Sequence, residues 1–227
     1  MLNGVNPVRD VALPKAKAPS ETYAYSLVEV AQILAALPDP ARSIFATAAF
    51  TGLRRGELRG LEVDDYQGNV LMVRRSVWKK TVGDPKGKRG KGAVPVIPFL
   101  ANILDRYRLT FQPTKHLFEG ANGGLADLDY LVQSSILPAL KYSTVTWHGW
   151  HACRRGLATN LHALGIPDIV IQAILRHSNV SVTREPYIKR NGVDPQSLAA
   201  MKALETLVCN QNATGATGED SDTISAA

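Results

Sequence analysis

Trp150-His151-Ala-Cys153-Arg154-Arg-Gly-Leu157-Ala-Thr159 joins an apolar helical stripe to a cationic edge within one short stretch. Trp150, Cys153, Leu157, Leu161 and Leu164 recur at helical spacing and predict a helix over 148–164. His151 and Arg154 stand three apart, so they share one edge of that helix beside the stripe. The stripe seats the helix in a core and leaves the His151/Arg154 edge at the core's margin, where a cleft can open. His151 taken alone is an ordinary polar residue at a helix edge. Its meaning depends on what else the chain brings to it.

Upstream lies Thr51-Gly-Leu-Arg54-Arg-Gly-Glu57-Leu58, and downstream come His177 and, ten residues later, Tyr187. An arginine with a glutamate three residues on is, by itself, a weak surface ion pair, and a lone tyrosine is an amphipathic packing residue. Together these residues meet the needs of nucleophilic displacement at a phosphodiester. That reaction requires an attacking oxygen, positive charge on the non-bridging oxygens and a proton for the leaving oxygen. Arginine offers planar, permanently charged donors that match phosphate oxygens in pairs, so Arg54 and Arg154 are the expected clamp on a pentacoordinate transition state.

Charge points the same way. The formal net charge is +6, from 26 basic and 20 acidic residues, and the acidic run Gly218-Glu-Asp-Ser-Asp222 leaves the remainder more basic still. A polyanion is the natural partner, and nucleic acid is preferred to a membrane because no basic amphipathic helix stands out. Hydrophobic residues at 45% of 227 supply a core for one domain plus tails. No apolar run reaches the roughly 18 residues that span a bilayer, and the N-terminus lacks the apolar segment of a secretion signal. Cys153 and Cys209 are far apart and in no ligand-like pairing, which predicts a reducing, cytoplasmic setting without structural zinc.

Residues 1–22, rich in Pro, Lys and Ala, read as a linker or arm; 23–208 form the folded domain; 209–227 read as a disordered tail. Ser26-Leu-Val-Glu29 is a capping box, followed by Val28, Ala31, Ile33, Leu34 and Leu37 on a helical face. Asp39-Pro40 restarts a helix that runs to the Thr51-Gly52 turn, and a short helix follows Arg54. Val70 to Val77 and Val94 to Ile97 read as strands of one long hairpin. Helices are expected near 98–110, 127–139, 148–164, 168–176 and 180–190. A last one opens at Asp194-Pro195 with Leu198, Met201, Leu204 and Val208 on one side. The fold class is therefore α+β, mostly helical, with a small antiparallel β-sheet inserted early.

From about residue 24 to 190 the chain resembles the catalytic domain of tyrosine recombinases of the phage integrase family. Thr51 to Leu58 resembles the family's first arginine box, which implies a catalytic Arg54 supported by Glu57. His151-Ala-Cys-Arg154 resembles its His-x-x-Arg box. Leu175-Arg-His177-Ser-Asn-Val resembles the segment carrying a third basic residue, and Tyr187 falls at the nucleophile's distance. The family also uses a lysine on a β-hairpin; Lys86, Lys88 and Lys91 lie on the hairpin connection, with Lys86 favoured by its spacing to Val94-Pro95-Val96 and Lys88 in reserve. Arg155 stands where many members have a second histidine. Pro186 precedes Tyr187 and disfavours helix at Glu185.

The resemblance implies a site-specific recombinase that cleaves and rejoins double-stranded DNA through a 3′-phosphotyrosyl bond, in integration or excision of a phage or other mobile element. Tyr187 would attack, Arg54, Arg154 and His177 would stabilise the phosphorane, His151 would serve as base or relay, and Lys86 would protonate the leaving oxygen. No metal or cofactor is expected, because covalent storage of the bond energy and side-chain cations serve instead. A homotetramer on DNA and a monomer when free are expected, and Arg74, Arg75, Lys79, Lys80, Lys88, Arg89 and Lys91 are expected to meet phosphates. A type IB topoisomerase and a non-catalytic DNA-binding relic of the fold are the alternatives. The family's N-terminal core-binding domain is not in this sequence, so an excised or truncated member is expected.

Overall fold

The computed structural model describes residues 22–79, 81–85, 90–176 and 195–215. Its first helix begins where the capping box predicts. Ser26 Oγ accepts the Glu29 N–H at 3.2 Å and Glu29 Oε2 accepts the Ser26 N–H at 2.8 Å, opening α1 (Leu27–Ala36). The buried set is Val30, Ile33, Leu34 and Leu37, an i, i+3, i+4, i+7 pattern. Val28, expected on that face, is out of phase with it and 52% exposed.

Asp39, one residue before the N-cap Pro40 of α2 (Ala41–Thr51), satisfies the helix's first turn, its Oδ1 accepting the Ser43 N–H at 3.1 Å and the Ser43 hydroxyl at 2.6 Å. Apart from Arg42, α2 is buried all round, as befits a central helix. Its hydroxyls are satisfied internally: Thr47 donates to the Ser43 carbonyl at 2.8 Å and Thr51 to that of Thr47. Against α2 pack α4 (Pro98–Phe111) and α7 (Trp150–Ala163). Gly156 lets α7 meet the segment before α1, since a Cβ there would stand 2.5 Å from the Tyr25 carbonyl oxygen. Tyr25 is fully buried, and its hydroxyl accepts the His148 N–H at 2.6 Å.

The short helix α3 (Arg55–Arg59) follows the Gly52 turn. The β excursion differs from the expected simple hairpin. An outer pair, β1 (Val70–Val73) with β4 (Gly92–Pro95), is antiparallel in the register Val70↔Pro95 to Val73↔Gly92. An inner pair joins β2 (Ser76–Trp78) to β3 (Thr81–Gly83). The strand expected over Val70 to Val77 breaks at Arg74-Arg75, because both guanidiniums turn to Asp65, at 2.7 and 2.8 Å.

The helix expected over 127–139 is α5 (Leu128–Leu131) and α6 (Leu137–Leu140) joined by a π-turn at Val132–Ile136. Pro138 lacks the N–H that would bond to the Ser134 carbonyl, and the wider turn accommodates that loss. After α8 (Asp168–Leu175), Arg176 closes the helix in the left-handed conformation, φ 54 and ψ 46. The last helix, α9 (Pro195–Gly215), passes the boundary expected at 208, since neither proline nor glycine interrupts it before Gly215. It lies on the chain's own α1, α4, α7 and α8, burying Ala200, Met201 and Leu204. Glu205 Oε1 accepts the Phe99 N–H at 2.6 Å, satisfying a free donor at the start of α4. Among the described residues no helix is long and apolar enough to cross a membrane.

Candidate active site

The site is built where α2 stops. Gly52 takes φ +61, and a Cβ there would lie 2.5 Å from Leu175 Cδ2 and 3.2 Å from Leu157 Cδ2, so both the backbone conformation and the packing demand glycine. The turn places Arg54 at the N-terminus of α3. Its N–H donates to Glu57 Oε2 at 3.0 Å, and its Nη1 donates to Glu57 Oε1 at 2.8 Å. Glu57 is 1% exposed, while the Arg54 side chain keeps 27% of its surface open. The carboxylate thus fixes the arginine from behind and leaves its far side to solvent.

Arg154 arrives from α7 and is 3% exposed. Its Nη1 donates to the Gly52 carbonyl at 2.6 Å, 102 positions away in sequence, and its Nη2 donates to the Leu175 carbonyl. One guanidinium therefore ties the turn after α2 to the end of α8, with further N–H donors to spare. Burial first, then the charges of Arg54 and Arg176, push its pKa down to about 10, which leaves it cationic at neutral pH. His151 sits one helical turn before it on the solvent side of α7. Partial desolvation of its ring, followed by the charges of Arg155, Arg154 and Arg54, lowers its pKa below the ordinary histidine value and favours neutral imidazole.

Arg54, Glu57, His151 and Arg154 are thus gathered at one place. Lys86, Lys88, His177 and Tyr187, together with Lys80 and Arg89, lie outside the described residues. Arg75 is held by Glu62 at 2.9 Å, Asp65 at 2.8 Å and the Gly60 carbonyl at 3.2 Å. Arg74 shares Asp65 but keeps 45% of its side chain exposed. Asp65 therefore relieves the like-charge repulsion expected of this pair. Lys79 sits at the inner hairpin's turn with φ 53, and Lys91 pairs with exposed Asp84 at 2.7 Å, a contact that solvent weakens. Among the described residues no cluster of three His, Cys, Asp or Glu is placed to hold a metal.

Two residues enter that sequence reasoning passed over. Trp78 is 74% exposed beside Lys79 at the end of β2; the alternation that points Val77 inward was the available signal. Arg176 is 6% exposed, and its Nη2 donates to Glu57 Oε2 at 2.7 Å. An arginine in a polar segment gives no sign that it will be buried, so only the fold reveals it.

No family model matches the chain. It is 27% identical to a tyrosine recombinase XerC-like protein of Caldanaerobacter subterraneus subsp. tengcongensis, a match covering 86% of this chain and 56% of that protein. It is 30% identical to tyrosine recombinase XerC 2 of Ralstonia nicotianae, covering 78% of this chain and 52% of the relative. The chain thus spans about half the length of the curated relatives it matches. Its fold is similar to that of the Tn1549 transposon integrase solved with circular intermediate DNA, with TM-score 0.61 at 18% identity over 72% of this chain and 60% of that one. The integrase of mycobacterium phage Brujita gives TM-score 0.61 at 20% identity over 88% and 63%. XerA recombinase gives 0.58 at 16% identity over 92% and 68%.

Proposed function

We propose, from the premise that this chain is a catalytic domain of the tyrosine recombinase family, that it cleaves and rejoins DNA strands in the integration or excision of a mobile element. The observation that carries this reading is the meeting of Arg54 and Arg154, each held by a carboxylate or carbonyl partner and each cationic, beside a neutral-leaning His151. Two arginines so fixed are preorganised for the charge that develops on a phosphorane, which is where electrostatic catalysis gains most.

In the proposed reaction the Tyr187 hydroxyl oxygen attacks phosphorus, passing its proton to His151. The bond from phosphorus to the 5′-oxygen breaks, Lys86 protonates that oxygen, and the strand is held as a 3′-phosphotyrosyl ester. Attack by a 5′-hydroxyl reverses the step and rejoins the strand, so no energy input is needed. Arg54, Arg154 and His177 bear on the non-bridging oxygens. Phosphate contact falls to Lys79, Lys80, Lys88, Arg89 and Lys91 with the open half of Arg74, Trp78 adding an apolar or stacking surface among them. Arg75, bound on three sides, serves the hairpin root. The chain works in the cytoplasm, is a monomer when free and assembles as a homotetramer on double-stranded DNA.

The test is to incubate the chain with fragmented DNA and a pool of nicked duplexes, denature, and sequence whatever DNA stays attached. Recurrent recovery of one sequence, attached by its 3′ end, supports the reading. Binding without attachment makes the chain a DNA-binding relic, and attachment at unrelated sequences together with relaxation of a supercoiled plasmid assayed in parallel makes it a topoisomerase.

A further inference from the structure

Glu57 carries one negative charge and meets two guanidiniums. Its Oε1 accepts from Arg54 Nη1 at 2.8 Å, while its Oε2 accepts from the Arg54 N–H at 3.0 Å and from Arg176 Nη2 at 2.7 Å. Arg176 and Glu57 are both buried, at 6% and 1% exposure, whereas the Arg54 side chain is open on one side. The stem of Arg176 also runs along the hairpin root, where a Cβ on Gly92 would lie 3.6 Å from its Cδ. A carboxylate with Arg54 as its only partner would form a nearly neutral pair with it, and little field would reach a phosphate in front. A second buried cation on the other oxygen changes that balance.

We infer that Arg176 is a positioning residue that neutralises Glu57 from behind, so that Arg54 keeps its orientation through Glu57 while directing its charge outward to the phosphate. This rests on the phosphoryl-transfer reading above and adds to it a residue that touches neither DNA nor the reacting atoms. The same contact anchors the residue that ends α8 to the start of α3, so a change at Arg176 acts on Arg54 across an ion pair spanning 119 positions of sequence.

The experiment is single-turnover cleavage of the duplex recovered with the wild-type chain, with duplex affinity and thermal unfolding midpoint measured in parallel. Arg176→Met, or Arg176→Gln if the first does not fold, is expected to lower the cleavage rate at least tenfold while duplex affinity stays within about twofold. Arg176→Lys, which keeps the charge, is expected to return to within about threefold of wild type. In a Glu57→Gln background, where no carboxylate needs neutralising, Arg176→Met or Arg176→Gln is expected to change the remaining rate less than about threefold. Wild-type cleavage by the neutral variant, a loss that Arg176→Lys does not relieve, or a full loss repeated in the Glu57→Gln background each overturns the inference. A wild-type chain that forms no adduct overturns the underlying reading instead.

Discussion

Arg154 is the side chain on which the local geometry turns, because it is buried and yet spends its donors on the carbonyls of Gly52 and Leu175. Arg154→Lys keeps a charge but not the planar fork, so it cannot hold both carbonyls and a phosphate together. Cleavage is expected to fall at least about tenfold, roughly 1.4 kcal/mol of transition-state stabilisation, while duplex affinity changes little. An unchanged single-turnover rate would remove Arg154 from the site. His151 gives a pH prediction. Its pKa is lowered in the folded chain, so the neutral form needed by a base persists below the usual histidine range, and the acid limb of the cleavage profile lies below about pH 6.5. The linked stability has the same sign: the unfolded chain takes up the proton first, so stability declines as pH falls from that value toward the depressed folded pKa. Arg155→Ala removes the largest charge effect on the ring and is expected to move the acid limb upward; a limb that stays put or moves down contradicts the assignment. At this scale Arg54, Glu57, His151 and Arg154 were singled out by their resemblance to the family's boxes, and the fold brings the four side chains near one another. Arg176 was not, because its burial depends on a carboxylate far away in sequence.

At the level of elements, local rules were read well wherever the cause was local. The Ser26/Glu29 box and the glycine turn at Gly52 are decided by neighbouring residues, and both stand where the spacing indicates. The hairpin was legible only in outline. Its break at Arg74-Arg75 depends on Asp65, a tertiary partner that strand propensity cannot register, and the inner pairing of Ser76–Trp78 with Thr81–Gly83 uses strands too short to signal themselves. The functional prediction for this element concerns Lys86. A 5′-bridging phosphorothiolate leaves without protonation, so it should restore cleavage to Lys86→Ala far more than to Arg54→Ala, whose defect lies in charge stabilisation. Equal rescue of the two, or rescue of Lys88→Ala in place of Lys86→Ala, moves the general acid elsewhere.

For the whole molecule, α9 bears on how the elements of the candidate site are held, since it packs on α7 and α8. An apolar face there was expected from Leu198, Met201, Leu204 and Val208, to be buried on the chain's own domain or on a neighbour, with the family resemblance favouring the neighbour; Met201 and Leu204 are buried against the chain's own helices at 0% and 1% exposure. Met201→Ala is therefore expected to destabilise the free chain by about 2–5 kcal/mol, read by denaturant unfolding. A loss under about 0.5 kcal/mol would mean that the helix does not rest there in solution. The mostly helical architecture with an early antiparallel insertion was legible from apolar periodicity, whereas the docking of α9 was not, since an amphipathic pattern states that a face is buried but not by what. Covalent attachment of a 3′-DNA end to Tyr187 is the step on which the proposed function depends. Digestion of the trapped adduct followed by mass spectrometry of the linked peptide locates the attachment: a nucleotide joined by its 3′-phosphate to Tyr187 is expected, and no adduct from Tyr187→Phe although the duplex still binds. An adduct that survives in Tyr187→Phe, or one mapped to another residue such as Tyr142, contradicts it.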